Sequence, residues 1–232
     1  FEGSGLAPVL GQICERTFTF DLPLRFLDNN DNALLELFWG PTAAFKDVGA
    51  RFLANAFAAL HQLQNQKQDL TILVATSGDT GGAVASAFHH QPGIRVAVLF
   101  PEGGVAPRQR HQLTAFGGNV SAFAVEGVFD DCQRLVKSAF ADAALSEKHQ
   151  LTSANSINIG RLLPQSVYYA WAWKQINTDQ AITFSVPSGN FGNLTGGIIA
   201  KHMGLPVEKF IAATNANDVF PRYLETGEFN AK

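Results

Sequence analysis

The chain has 232 residues, of which 46% are apolar and 16% are charged, so it can bury a sizeable core as one large domain or two small ones. Its formal net charge of −3 leaves no basic excess to neutralise phosphates, which argues against a nucleic-acid-binding or membrane-binding surface. Two cysteines, no apolar stretch of membrane-spanning length and no signal peptide indicate free thiols in a reducing compartment, and we therefore expect a cytoplasmic protein.

Short apolar runs that predict strands alternate along the chain with longer patterns that predict helices. Because the apolar runs are continuous, they predict a parallel sheet covered by helices on both faces, the α/β class. Pro164 falls inside one helical pattern and predicts its first turn or a kink. In chain order, strands are predicted over 33–39, 71–76, 94–100, 120–126, 150–154, 181–186 and 209–214, and helices over 44–63, 79–90, about 106–116, 129–143, 159–176 and about 193–203.

Small polar residues follow three of these predicted strands. The segments are TSGDTGG at 76–82, SANSIN at 153–158 and PSGNFGN at 187–193. Parallel sheets bind ligands outside the carboxyl ends of their strands. We therefore expect the three segments to share one site.

Glycine is concentrated in residues 185–201, SVPSGNFGNLTGGIIAK, between a predicted strand and a predicted helix. Free backbone N–H groups and the positive end of the helix dipole would suit a phosphate at this position. The alternative is an ordinary strand-to-helix turn that uses glycine for its backbone freedom. Neither the P-loop pattern nor the GxGxxG dinucleotide pattern is present, so nucleotide binding is weakly supported.

Lys46, in GPTAAFKDVG at 40–49, lies at the start of a predicted helix. The positive end of the helix dipole and partial desolvation both favour a neutral amine, which is what Schiff-base chemistry needs. The alternative is a solvated surface lysine that pairs with Asp47.

The segment TSGDTGG at 76–82 has three interpretations. Asp79-Thr80-Gly81 matches the Asp-Thr-Gly of aspartic proteases, and residues 78–82 are similar to the GDSGG around a trypsin-like serine. Both of those folds are all-β, whereas here the motif runs into an alanine-rich helical pattern. The preferred interpretation is a loop at a helix start whose hydroxyls and N–H groups bind a carboxylate.

Small donors also precede a helix in SANSINIGR at 153–161, with Arg161 in its first turn. These donors and a guanidinium suit a second anion, especially a phosphate. The alternative is helix capping by Ser156 or Asn158 beside a solvated arginine. The six histidines show no metal-ligand spacing, so we assign no metal.

Together, GPTAAFKDVGARF, TSGDTGGAVASAF, SANSINIGRLLPQ and SVPSGNFGNLTGG, in that order, resemble the threonine synthase family, and specifically its longer bacterial and fungal type. The resemblance covers essentially all 232 residues. It implies a fold-type II enzyme that uses pyridoxal 5′-phosphate (PLP), with a parallel sheet similar to that of the tryptophan synthase β subunit.

The resemblance also implies a role for each motif. Lys46 would carry PLP and act as the catalytic acid and base. The loop of Gly189, Asn190, Phe191, Gly192 and Asn193 would surround the cofactor phosphate, and Asp79 would lie at the cofactor edge. The substrate would be bound by Ser77, Gly78, Thr80, Asn155, Ser156 and Arg161.

Two anion sites suit O-phospho-L-homoserine, which the family converts with water to L-threonine and phosphate. Related PLP enzymes such as cysteine synthase have Asn where Asp79 stands, which favours threonine synthase. The rivals are another PLP-dependent lyase, such as threonine or serine dehydratase or cysteine synthase, and a non-catalytic PLP-binding relative. The sequence does not give the oligomeric state.

The resemblance does not extend to the family's N-terminal domain or to its long C-terminal portion. In the family, that C-terminal portion holds the residue that contacts the pyridine nitrogen of PLP. We therefore expect a fragment that binds PLP weakly and lacks robust activity alone. Within it, we expect residues 1–65 and 150–232 to belong to a large cofactor-binding subdomain and residues 66–149 to form a small α/β subdomain.

Overall fold

The computed structural model describes residues 2–27, 31–156 and 158–229. The chain divides into two compact units, residues 1–164 and residues 165–232. The subdomain boundaries predicted near residues 65 and 150 are a different division and stay a prediction.

The first unit alternates strands and helices along most of its length. A single turn of 3₁₀ helix, Ala7–Val9, precedes its first α-helix. Its elements are α1 (Leu10–Thr17), β1 (Leu24–Phe26), β2 (Ala33–Leu35), α2 (Lys46–Leu63), β3 (Leu70–Ala75), α3 (Asp79–Phe88), β4 (Ile94–Pro101), α4 (Pro107–Thr114), β5 (Val120–Val125), α5 (Phe129–Ala141), α6 (Ala143–His149), β6 (Leu151–Thr152) and α7 (Ile159–Leu162).

The core of the first unit is a four-stranded sheet in the order β5-β4-β3-β6. All of its pairings are parallel, as the continuous apolar runs predict. Alternate side chains of β3 point to opposite faces. Ile72 and Val74 pack in a cluster with apolar side chains of α2 and α3, whereas Leu73 and Ala75 pack against α5 around Cys132 and Val136. Helices therefore cover both faces, which confirms the predicted class.

The strand predicted over 33–39 is wrong in length and in partner. Only β2 forms, and it pairs antiparallel with β1 instead of joining the parallel sheet. Beyond β2, the Glu36 carboxylate accepts a hydrogen bond from the Trp39 indole at 2.8 Å and pairs with Arg25 at 2.5 Å. The Glu36 N–H still donates to the carbonyl of Pro23 at 2.9 Å, but proline has no N–H to donate in return, so the ladder ends at this pair although the apolar run continues.

The helix predicted over 159–176 is broken at Pro164. It consists of α7, a 3₁₀ turn at Leu163–Gln165, and a helix in the second unit. Proline lacks an N–H and its ring clashes with the preceding turn, so a break there is expected. The sequence predicts a first turn or a kink at this residue, and the structure has an interruption of the helix there.

The second unit contains two parallel strands with helices before, between and after them. The aromatic side chains of Tyr169, Phe184 and Phe210 pack edge-on and stacked, with ring centroids 4.9–6.1 Å apart, and join its first helix to both strands. Its elements are α8 (Ser166–Ile176), β7 (Ile182–Pro187), α9 (Gly192–His202), β8 (Val207–Ala213) and α10 (Val219–Thr226). Across the residues that the structure describes, no helix is long and apolar enough to cross a membrane.

Candidate functional site

Lys46 is the first residue of α2, as its sequence context predicts. Its side chain is 21% exposed, and its Nζ lies 4.5 Å from the centroid of the Phe45 ring. The amine is also 3.5 Å from Oδ2 of Asp79, at the first position of α3. The structure thus brings together two residues that are distant in sequence and that both belong to predicted site motifs.

The surroundings of Lys46 lower the pKa of its amine. Burial of the side chain is the largest cause, because the charged form loses hydration. The Asp79 carboxylate acts in the opposite direction, and the nearby positive charge of Arg161 lowers the pKa further. The net effect favours the neutral amine, as predicted for a nucleophilic lysine.

Asp47 is not the partner of Lys46. Its side chain is buried, and its carboxylate oxygens accept hydrogen bonds from the backbone N–H and the hydroxyl of Thr42, at 2.9 and 2.5 Å. The alternative interpretation, a solvated lysine paired with Asp47, is therefore wrong. Asp47 instead fixes the turn that leads into α2.

The loop between β3 and α3 is organised by the buried hydroxyl of Thr76. This oxygen accepts hydrogen bonds from the N–H groups of Gly78 and Gly81, at 3.1 and 2.9 Å, and donates to the carbonyl of Gly78 at 3.0 Å. Ser77 is exposed and Thr80 is half-buried at the rim of this turn. The sequence motif includes Thr76, but its structural role is visible only in the folded turn.

The loop between β6 and α7 has a capped helix start and a buried cation. The Asn158 side chain accepts from the N–H of Gly160 at 2.9 Å, so the capping alternative is correct for this residue. Arg161 is 1% exposed, and its Nη1 donates to the carbonyl of Ala154 at 2.8 Å, so the alternative of a solvated arginine is wrong.

Asn155 and Ser156 are half-buried in the same loop. The N–H of Asn155 donates to the Ser153 hydroxyl at 3.2 Å. The loop follows β6, which neighbours β3 in the sheet. The two loops of the first unit that carry predicted substrate contacts thus follow adjacent strands, as expected for the carboxyl edge of a parallel sheet.

α7 approaches α2 closely in the first unit. A β-carbon on Gly49 would lie 2.6 Å from the carbonyl oxygen of Arg161, well inside van der Waals contact. Only glycine therefore permits this approach between the helix that carries Lys46 and the helix that carries Arg161.

The glycine-rich loop lies in the second unit, between β7 and α9. Phe191 precedes α9 with φ +55°, a left-handed conformation, and its carbonyl accepts from the N–H and hydroxyl of Thr195, both at 2.8 Å. The Tyr169 hydroxyl lies 2.9 Å from the carbonyl oxygen of Asn193 and 2.8 Å from its Oδ1, within donating distance of either. Among the described residues, no acceptor pairs with the backbone N–H groups of residues 189–193.

The four glycines of residues 185–201 serve different purposes. β-Carbons on Gly196 and Gly197 would lie 2.9 Å from the backbone of Gln165 and 2.7 Å from the rings of Tyr169 and Phe210, so these two permit close helix packing. Nothing lies within 4 Å of a β-carbon on Gly189, and Gly192 opens α9. The loop before α9 therefore offers open backbone at Gly189, whereas the glycines inside α9 serve packing.

The described part of the chain contains no group of three or more His, Cys, Asp and Glu side chains able to hold a metal ion. The first unit instead brings together an amine, a carboxylate and a guanidinium, which suit an anionic ligand and a carbonyl group that condenses with an amine. The second unit separately offers backbone N–H groups at the start of α9, which suit an anion.

Comparison with known proteins extends this conclusion. Threonine synthase from Haemophilus influenzae is 49% identical over 225 residues, which is 96% of this chain and 52% of that protein. The crystal structure of threonine synthase from Escherichia coli has a TM-score of 0.87 and 46% identity, and the match covers 97% of this chain and 52% of that one. The PLP-bound threonine synthase from Brucella melitensis has a TM-score of 0.83 and 42% identity, with 94% and 48% covered.

The chain spans about half the length of the relatives it matches. Residues 32–232 match the family described as pyridoxal-phosphate dependent enzyme. On that match, the chain belongs to the pyridoxal-phosphate dependent enzymes, the family whose fold and cofactor its motifs predict.

Proposed function

We propose that this chain is part of a threonine synthase, a PLP-dependent lyase that converts O-phospho-L-homoserine and water to L-threonine and phosphate. Its partner would be this small-molecule substrate, and the two free cysteines support a cytoplasmic location. Identities of 46–49% to bacterial threonine synthases over nearly the whole chain support this activity over that of other PLP-dependent lyases.

The observation that carries the proposal is the grouping of Lys46, Asp79 and Arg161 in the first unit. The amine is 3.5 Å from the Asp79 carboxylate, and the charge of Arg161 reaches the amine strongly enough to lower its pKa. The Lys46 amine would react with the cofactor, and the buried guanidinium of Arg161 would suit a substrate that carries its own phosphate. A dehydratase, whose substrate has no phosphate, does not require that cation.

The residues present fit PLP on two counts. A half-buried lysine with a lowered pKa can hold an aldehyde carbon covalently through Nζ. The N–H groups of residues 189–193, at the start of the 11-residue helix α9, can hold a phosphate. When bound, the cofactor would act as an electron sink for negative charge at the substrate Cα.

Lys46 would then move protons at the substrate. Its neutral amine, favoured by burial, can take the proton from Cα and return a proton to the adjacent carbons. Asp79, on the neighbouring helix, would keep the amine oriented and lie at the cofactor edge.

The other predicted residues would bind the two ends of the substrate. Ser77, Gly78 and Thr80 belong to the turn that Thr76 organises, and they would hold the substrate carboxylate. Buried Arg161, with Asn155 and Ser156 in the preceding loop, would stabilise the negative charge on the leaving phosphate. These roles follow the family's motifs and remain proposals.

A direct test uses the protein expressed from its complete gene. Borohydride reduction in the presence of PLP, followed by mass spectrometry, should place the modification on Lys46. Threonine and phosphate should form from O-phospho-L-homoserine in equal amounts. The Lys46→Ala variant should lose both the modification and the activity, while a matched change at exposed Lys67 should lose neither.

Two results would contradict the proposal. One is a modified lysine at another position. The other is full phosphate release by Arg161→Ala together with turnover of serine, which would indicate a dehydratase.

A further inference from the structure

Gln109 lies 30 residues from Asp79 in sequence, and the fold places their side chains in contact. Its Nε2 donates to Oδ1 of Asp79 at 2.7 Å, and its Oε1 accepts from the N–H of Ala106 at 3.4 Å. The other oxygen of Asp79, Oδ2, is the one that lies 3.5 Å from the Lys46 amine. The two carboxylate oxygens are thus divided between an amide and an amine.

The loop leaves room for this contact. A β-carbon on Gly78 would lie 2.6 Å from Nε2 of Gln109, so the amide occupies the space that a side chain at position 78 would fill. Gln109 lies in the first turn of α4, and the bond from Ala106 ties the amide to the start of that helix. The Asp79 side chain is 49% exposed, and nothing in its own helix holds its rotamer. The orientation of the carboxylate therefore depends on α4.

We propose that Gln109 is a positioning residue: it holds the Asp79 carboxylate so that one oxygen faces the amine of Lys46. This inference rests on the proposed function, since it concerns the amine that would carry the cofactor. It adds α4 to the elements that shape the site, although α4 carries none of the motifs of the family.

The proposal has a consequence with a defined sign. The charged groups that act on Lys46 are Asp79 from α3, which raises its pKa, and Arg161 from α7, which lowers it. Gln109→Leu removes the donor, so the half-exposed carboxylate is free to turn toward water and the pKa of Lys46 should fall. Gln109→Glu adds a negative charge beside Asp79, so the pKa of Lys46 should rise. A role in packing alone would not produce opposite signs.

The experiment measures the titration of Lys46 in the complete protein after reversible removal of PLP. An amine-reactive reagent labels neutral lysine, and mass spectrometry of the Lys46 peptide gives the labelling midpoint as a function of pH. We expect Gln109→Leu to lower the midpoint and Gln109→Glu to raise it, each by about half a pH unit for a partly screened carboxylate. Gln112→Leu, the same change one turn along α4, should leave the midpoint unchanged.

A double-mutant cycle tests whether Gln109 acts through Asp79. In an Asp79→Asn background, Gln109→Leu should shift the midpoint no further, because the carboxylate it orients is gone. Leu and Glu both form helices well, and urea unfolding of each variant confirms that it is folded.

The inference is overturned if both substitutions shift the midpoint in the same direction, or if neither exceeds Gln112→Leu. It is also overturned if Gln109→Leu acts fully in the Asp79→Asn background. A wild-type protein in which PLP attaches to another lysine would instead overturn the proposed function, so the two failures are distinguishable.

Discussion

Replacing Gly49 with alanine tests the close approach of α7 to α2. The new β-carbon would lie 2.6 Å from the Arg161 carbonyl oxygen, about 0.8 Å short of ordinary contact at 3.4 Å. The atom it meets is backbone, so no change of rotamer relieves the overlap, and one helix must shift. Such overpacking costs about 1–3 kcal/mol, and the better helix propensity of alanine returns up to about 1 kcal/mol. We expect a net loss of about 1–2 kcal/mol in the free energy of unfolding.

Gly11 in α1 provides a matched control, because nothing lies within 4 Å of a β-carbon there. Gly11→Ala should therefore stabilise the protein, by about 0.5 kcal/mol, through helix propensity alone. Both variants are measured by urea unfolding and compared only if their slopes agree. Equal shifts of the two midpoints in the same direction would refute the steric argument.

Two further substitutions test the site residues themselves. Lys46→Met should raise the free energy of unfolding of the cofactor-free protein at pH 7, because burial lowers the pKa of Lys46 and its charged form therefore opposes folding. This gain in stability should shrink as the pH rises toward the pKa of an unfolded lysine. A gain that grows with pH would contradict the prediction. Tyr169→Phe removes the hydroxyl beside Asn193 and should cost about 1 kcal/mol in urea unfolding. If the glycine loop holds the cofactor phosphate, the same change should weaken PLP binding severalfold in a fluorescence titration, and unchanged affinity would separate Tyr169 from that role.

The sequence predicts the parallel sheet of the first unit because its strands are covered on both faces: in β3, Ile72, Val74 and Ala75 are buried and Leu73 is partly buried. A strand covered on both faces has a continuous apolar pattern, which distinguishes it from a half-exposed strand. The same reasoning fails at β2, whose apolar residues are mostly exposed and pair with β1 in a two-stranded ribbon that ends where Pro23 faces Glu36. It also misses α1, α6 and α10, whose patterns are too short to stand out from loops.

For the candidate site, the sequence predicts the residues that carry chemistry but not the residues that position them. Lys46 stands out because a cation at a helix start opposes the helix dipole, and Asp79 stands out because it lies in a glycine-rich loop that follows a buried strand. Gln109 has no such signal, since its contact with Asp79 depends on where α4 packs. Arg161 shows the largest difference between sequence and structure. An arginine in the first turn of a helix suggests an exposed side chain, but the fold buries this one.

The length of β6 determines how firmly the loop at 153–161 is held. β6 contributes two residues to its ladder with β3, whereas the pairing of β3 with β4 extends over six. At its other end the loop runs into α7, which the contact at Gly49 holds against α2. The strand end of the segment therefore depends on a few edge hydrogen bonds and on the bond from the Arg161 guanidinium to the carbonyl of Ala154. If thermal fluctuation opens the short ladder of β6, Arg161 still ties Ala154 to α7, so we expect the loop to detach from the sheet before it detaches from the helix.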